Sequence, residues 1–231
     1  MISREKALKS CYDFWQMHNT EKGFPENYPE EEVVRFLMRL KSFNKKNKKK
    51  IKILDLATGS GKNIQPIIDL GFELYLIDWS KGGLNYIKKR YKNKSIKSVC
   101  IDFTKKKLPY KKNFFDGVIA TSVFDHMFKE DSKKLLKEVY RVTKKNSFMV
   151  SNLMTSGTNK KNRLGMRIKS EPGTYLVKTG NSAGEIHSIF KKKEAKHFFS
   201  RYFKTLSITD YSILYNYKEK LNYIYCNLKR K

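Results

Sequence analysis

The sequence has no run of apolar residues long enough to span a bilayer. Its N-terminus, Met1-Ile2-Ser3-Arg4-Glu5-Lys6, is charged and leads into no apolar stretch, so no secretory leader and no membrane association are expected. Cysteine is scarce: Cys11, Cys100 and Cys226 are far apart and share no metal-ligand spacing. That excludes a disulfide framework, gives no reason to expect a metal, and fits reduced, mostly buried thiols of a cytoplasmic protein. There is no internal repeat and no linker long enough to divide the chain, so its 231 residues fit one α/β domain around one sizeable core. Acidic residues are few, 22 against 50 Lys and Arg, for a formal net charge of +28. Such an excess invites a nucleic-acid partner. Most of it, however, is Lys, and it accompanies abundant Asn, Ile, Tyr and Phe, the residues that adenine- and thymine-rich codons favour.

What is present is an alternation of strands and helices. Residues 4–19 carry Leu8, Cys11, Tyr12, Trp15 and His18 at helical spacing, and residues 30–42 follow Pro29 with acids in the first turn and Val33, Val34, Phe36, Leu37 and Leu40 behind. A Gly/Pro/Asn loop joins them. Buried strands are expected at Ile51–Leu56, Glu73–Ile77, Ile96–Ile101, Phe115–Thr121 and Ser147–Met154. Helices are expected from about Lys62, after Ser80, and through Leu135–Val142. This order predicts a parallel sheet covered on both faces. After a helix at about 191–203, the β-rich segments 204–215 and 221–229 read as a hairpin that ends the sheet with an antiparallel edge.

The first strand runs into Asp55-Leu56-Ala57-Thr58-Gly59-Ser60-Gly61. Glycines there let the backbone turn sharply and approach a ligand, and the helix that follows points its N–H groups at negative charge. Dinucleotide enzymes use a similar turn but place a third glycine where this chain has Ile64. Instead, acids close three strands in turn: Asp55, Asp78 in Leu76-Ile77-Asp78-Trp79-Ser80, and Asp102 before Phe103. With Leu108-Pro109-Tyr110, Phe114-Phe115-Asp116-Gly117-Val118-Ile119, Val123-Phe124-Asp125-His126 and Glu138-Val139-Tyr140-Arg141-Val142, the chain resembles the class I S-adenosylmethionine-dependent methyltransferases, in the branch that acts on small molecules. The resemblance covers roughly residues 50 to 155. Two departures are Ala57 at the first motif glycine and Lys145-Asn146 in place of Pro-Gly.

The resemblance implies a Rossmann-like, doubly wound, mostly parallel seven-stranded sheet with an antiparallel C-terminal edge hairpin. In it residues 1–45 form a helical cap, 50–155 the cofactor core, 155–190 a substrate-side insertion and 191–231 the last helix and hairpin. It also implies S-adenosylmethionine as cofactor and S-adenosylhomocysteine as its product. Asp78 is then expected to accept both ribose hydroxyls, Asp102 the adenine amino group, and Trp79 and Phe103 to pack on the adenine faces. Asp55, Ala57, Gly59 and Gly61 would hold the methionine end, with Thr121 also at the cofactor. Methyl transfer from a sulfonium is an in-line displacement that needs alignment and exclusion of water, and a base only when the acceptor is protonated.

In open α/β sheets ligands bind outside the carboxyl ends of the strands. The segments reaching that edge are the N-terminal helices, the loop 121–128 and the long stretch 155–188. Trp15, Tyr28 and His126 are therefore expected around the acceptor, with Arg163 and Arg167 holding an anionic part of it. His187, two residues from Glu185, is expected nearest the acceptor as a general base. The basic run Lys45-Lys46-Asn47-Lys48-Lys49-Lys50 precedes the first strand, at the opposite edge, and reads as a solvated connector. A cytoplasmic enzyme methylating oxygen or nitrogen of a small metabolite or sugar ranks first. An RNA methyltransferase and a non-catalytic cofactor-binding protein remain the alternatives.

Overall fold

A computed structural model describes residues 2–18, 28–44, 49–155, 165–168, 170–179, 182–215 and 219–231. Helices α1 (Arg4–His18) and α2 (Glu31–Phe43) precede β1 (Lys52–Leu56), α3 (Ile64–Asp69), β2 (Glu73–Asp78), α4 (Lys81–Arg90) and β3 (Ile96–Cys100). Next come β4 (Phe115–Ala120), α5 (Lys129–Val142), β5 (Thr143–Met154), and the short strands β6 (Met166–Arg167), β7 (Thr174–Leu176) and β8 (Ile186–Ser188). The chain closes with α6 (Lys192–Ser200), β9 (Phe203–Tyr215) and β10 (Glu219–Arg230). Seven strands form one sheet in the order β3-β2-β1-β4-β5-β10-β9. The first five are parallel, and β10 is antiparallel to both of its neighbours. The C-terminal hairpin ends the sheet as expected, turned so that β10 sits inside and β9 forms the edge.

Side chains two apart on a strand share a face, and that alternation splits the core in two. Leu54 and Leu56 of β1, Val118 and Ala120 of β4 and Met149 of β5 pack with Leu135, Leu136, Val139 and Val142 of α5 and with Ala195 and Phe199 of α6. Ile53, Ile119 and Val150 face the other way, onto Val33, Phe36, Leu37 and Leu40 of α2. Ile64 and Ile67 of α3 and Leu84 and Ile87 of α4 continue this second layer. Helix α3 starts two residues later than the sequence implies, because Gly61 holds a left-handed φ of 82° and closes a turn on the Thr58 carbonyl at 2.9 Å.

The stretch after β5, expected as a long loop, instead folds into a second sheet in the order β6-β7-β8. Strands of two or three residues are too short to show a period, which is why the sequence concealed them. Ile168, Leu176 and Ile186 of this insertion pack with Ala7 and Cys11 of α1 and Phe128 ahead of α5, so it covers the carboxyl edge of the main sheet.

Helix α2 presses directly on β4. A Cβ at Gly117 would stand 2.7 Å from Leu40 Cδ2 and 2.8 Å from Ile53 Cδ1. Gly117→Ala is expected to lower stability by about 1–3 kcal/mol through overpacking, measured by urea unfolding. An unchanged midpoint would show that α2 is free to move away.

Candidate active site

The strand order reverses between β1 and β4, and the crevice at such a switch point is where open α/β sheets hold ligands. A cleft of about 410 Å³ opens there, lined by Ala57 and Gly59 after β1, Asp78 and Trp79 at the end of β2, and Ser122 and Val123 after β4, with Phe103, His126, Met127 and Trp15 completing it. A second cleft of about 350 Å³ lies between α2 and the C-terminal hairpin, lined by Phe36, Leu40, Phe43, Phe148 and Leu206. Its polar lining is Arg39 and Asn227, with no acid, base or nucleophile, so the crevice at the carboxyl ends is the candidate.

Two buried carboxylates organise the cofactor side. Asp78 Oδ2 accepts the Gly59 amide at 2.8 Å and Oδ1 accepts the Ser80 amide at 2.7 Å, which ties the turn after β1 to the end of β2. Asp55 Oδ2 accepts the Thr58 hydroxyl at 2.8 Å. Burial raises both acids: Asp78 to about 6, against the pull of the Ser80 and Gly59 amides, and Asp55 to about 7, against the Thr58 hydroxyl. Ala57 sits at φ 55°, a left-handed conformation that costs a non-glycine residue about 1–2 kcal/mol and explains why a glycine suits this position. Asn146, in place of the other motif glycine, holds φ 59°, which Asn tolerates better than most residues.

The aromatic pair is in place. Trp79 and Phe103 lie nearly parallel, 18° apart, with ring centres separated by 5.8 Å. That is less than two contact distances of roughly 3.5 Å, so a third ring cannot enter between them as they stand. Asp102 is spent on a turn: its Oδ1 takes the Thr104 amide at 3.0 Å and hydroxyl at 2.5 Å, and Lys105 pairs with Oδ2 at 3.4 Å. Thr121 is buried at the end of β4 and is not among the lining residues, whereas its neighbours Ser122 and Val123 are. Gly61 likewise lies behind the lining, its absent side chain leaving room for Ile64 and Ile87.

On the opposite wall, α1 closes over the cleft. Gln16 donates to the Trp79 carbonyl at 3.0 Å, Tyr12 meets the Trp79 ring edge-on, and Trp15 meets His126 with ring centres 5.6 Å apart. Behind His126 stand Glu185 and His187. Residues two apart in extended chain share a side, so both point at the loop after β4. That loop is pinned to β8 by the Ser188 amide on the Asp125 carbonyl and the Ser188 hydroxyl on the Met127 carbonyl, each at 2.7 Å. Glu185 Oε2 lies 2.8 Å from His187 Nε2 and 2.9 Å from His126 Nδ1. Burial opposes ionisation of Glu185, but the two rings outweigh it and hold its carboxyl well below the usual range. His126 is disfavoured as a cation by burial yet raised on balance by Asp125 and Glu185.

Several sequence expectations need correction here. His187 does not line the cleft; His126 does, and His187 sits behind it on Glu185. Tyr28 is 84% exposed and away from the cleft wall, and Arg167 on β6 is exposed as well. Arg163 lies outside the described residues. Trp15 and His126 are where the sequence placed them. Gln16, Ser122 and Met127 were missed individually, although the loop 121–128 was expected at this edge.

The geometry therefore defines a doubly wound fold with a nucleotide-sized crevice at its switch point. Residues 54–151 match the family model for a methyltransferase domain. Over 93 residues, 40% of this chain, the sequence is 36% identical to a demethylmenaquinone methyltransferase of Renibacterium salmoninarum, and the match spans 37% of that relative's length. Among solved structures, an S-adenosylmethionine-dependent methyltransferase of Methanosarcina mazei superposes with a TM-score of 0.68 at 15% identity, covering 82% of this chain and 96% of that one. The 1,6-didemethyltoxoflavin-N1-methyltransferase of Burkholderia thailandensis, bound to 1,6-didemethyltoxoflavin and S-adenosylhomocysteine, superposes with a TM-score of 0.59 at 11% identity, over 87% and 80% of the two chains. These superpositions carry the fold. The core of this chain thus matches a methyltransferase domain over residues 54–151 and shares the fold of S-adenosylmethionine-dependent methyltransferases. No helix among the described residues is long and apolar enough to cross a membrane.

The raised carboxyls give a pH prediction. Folding takes up protons at Asp55 and Asp78, so their contribution is fully present below the ordinary carboxylate range near pH 4. It is lost as pH rises through about 6 for Asp78 and about 7 for Asp55. The cofactor-free wild type is expected to lose at least ~1 kcal/mol relative to Asp55→Asn between pH 4 and 7.5, measured by urea unfolding at each pH. Parallel pH profiles for the two proteins would contradict the burial of an ionisable Asp55.

Proposed function

We propose that the protein transfers the methyl group of S-adenosylmethionine to oxygen or nitrogen of a small acceptor bound between α1 and the loop after β4. The observation that carries this reading is Asp78: a buried carboxylate at the end of β2, lining the cleft while it fastens the glycine turn of β1. A carboxylate has about four acceptor positions, and the two amide bonds occupy two of them, which leaves one on each oxygen for the two ribose hydroxyls. Gly59, Ala57 and Asp55 then serve the methionine end, with Gly61 keeping the turn tight. Trp79 or Phe103 offers one face to adenine. Asp102 would reach the adenine amino group with the oxygen not held by Thr104, and Thr121 supports this wall from behind.

The cleft is walled by Trp15, Trp79, Phe103 and Met127 as well as by Asp78 and His126. Its described lining includes no Lys or Arg, so an anionic acceptor finds no cation there from the side chains themselves. An RNA substrate would need positive charge leading into the mouth. The densest basic run, residues 45–50, precedes β1 in the sequence, and residues 45–48 of it lie outside the described residues. A protonated acceptor entering beside Trp15 meets His126 first, with Glu185 and His187 behind it.

Titration calorimetry tests the cofactor half. Wild type is expected to bind S-adenosylmethionine in the micromolar range, and Asp78→Ala to weaken binding by about 2 kcal/mol, roughly 30-fold. Wild-type affinity should fall as pH drops through about 6, where Asp78 takes up a proton. Unchanged binding in the variant would remove the basis of this reading. Labelled methyl is expected in a low-molecular-weight product, and a defined product in purified RNA at physiological salt would overturn the small acceptor.

A further inference from the structure

Glu185 and two histidines converge at one carboxylate oxygen. His187 Nε2 and His126 Nδ1 stand 2.8 Å and 2.9 Å from the same atom, Glu185 Oε2. The His187 contact is a hydrogen bond, whereas buried His126 Nδ1 reaches the same oxygen at 2.9 Å with poor hydrogen-bond alignment. A second buried atom, Asp125 Oδ1, is unpartnered, and the Asp125 carboxylate interacts electrostatically with both rings. Two carboxylates thus face two imidazoles whose ring centres are 4.9 Å apart, in a region where the Glu185 and His187 side chains are 2% and 7% exposed.

We propose that His126, Glu185 and His187 form a binding site for a divalent first-row transition cation on the acceptor wall of the cleft. Two neutral imidazoles and one carboxylate are the donor set of the facial triad that takes such ions and leaves coordination positions open. The three donor atoms lie within 4.8 Å of one another. Ligands about 2.1 Å from a common ion and at right angles stand about 3.0 Å apart, close to the two N···O separations seen here. A small rotation of the rings closes the third edge. A doubly charged ion also balances Asp125 and Glu185 with both rings neutral, which avoids placing two imidazolium charges side by side.

The surroundings suit a held ion. Ser188 ties β8 to the Asp125 and Met127 carbonyls, and the Met154 amide fixes Asp125 Oδ2 at 3.1 Å. Trp15 of α1 packs edge-on against His126. Of the three ligands His126 alone lines the cleft, and its ligating Nδ1 lies on the buried side of the ring. The ion would place a positive charge behind this wall and fix the His126 ring toward the acceptor. The site itself stands on donor geometry and not on the methyltransferase reading.

The test uses untagged full-length protein, stripped with chelator and dialysed, then titrated with Co²⁺ and read by visible absorption, with Zn²⁺ followed by equilibrium dialysis. Wild type is expected to take up one equivalent with micromolar or tighter affinity. His187→Ala and Glu185→Gln should each weaken uptake at least 100-fold, and His197→Ala should leave it unchanged. Glu185→Gln keeps the side chain's size, so it serves if His187→Ala does not fold. S-adenosylmethionine binding, measured separately by calorimetry, should persist in the variants, and a failure of cofactor binding in wild type would count against the proposed activity and not against this site. Absence of saturable uptake by wild type at about 100 μM ion would overturn the proposal. Uptake that survives both substitutions would also overturn it, by placing the ion elsewhere.

Discussion

One buried carboxylate joins the two halves of the crevice. Asp78 accepts amides from Gly59 and Ser80, so the turn leaving β1 and the turn leaving β2 are held at a fixed spacing by a single side chain. The cleft between them exists because these turns cannot drift apart. Burying the carboxylate raises it to about 6, so it sheds its charge at modest acidity. A ligand offering hydroxyl donors to that carboxylate would offset the cost of its burial.

The acceptor wall depends on a different device. Helix α1 and the small sheet β6-β7-β8 are separated in sequence by the entire cofactor core, yet Ala7, Cys11, Ile168, Leu176 and Ile186 share one apolar cluster. That packing carries Trp15 and Gln16 over the cleft and sets Glu185 and His187 behind His126. The core matched by the methyltransferase-domain model thus carries one wall of the cleft, and the two segments outside it carry the other.

Much of the fold was legible because the central strands are buried on both faces and bounded by turn residues. Ile51–Leu56 and Phe115–Thr121 read as strands from apolar runs alone, and the acids at 55 and 78 marked the carboxyl edge before any geometry was known. Where the sequence misled, the reason is physical. The strands of the insertion are shorter than the period that would reveal them. Asp102 carries the residue type expected at the adenine but is shared with Thr104 in a local turn. His187 was read with Glu185 because they are two residues apart, whereas His126, which completes the cluster and faces the cleft, is 61 positions away, and no local pattern links residues at that distance. Arg167 had the chemistry for an anion and an exposed position on β6 that keeps it from the cleft.

A crystal structure with S-adenosylhomocysteine tests the central claim most directly. The expected result is both ribose hydroxyls on the Asp78 carboxylate, the glycine turn at the amino-acid end, and the sulfur turned toward the wall formed by Trp15 and His126. A cofactor whose ribose contacts other groups, or whose sulfur faces away from His126, would contradict the account.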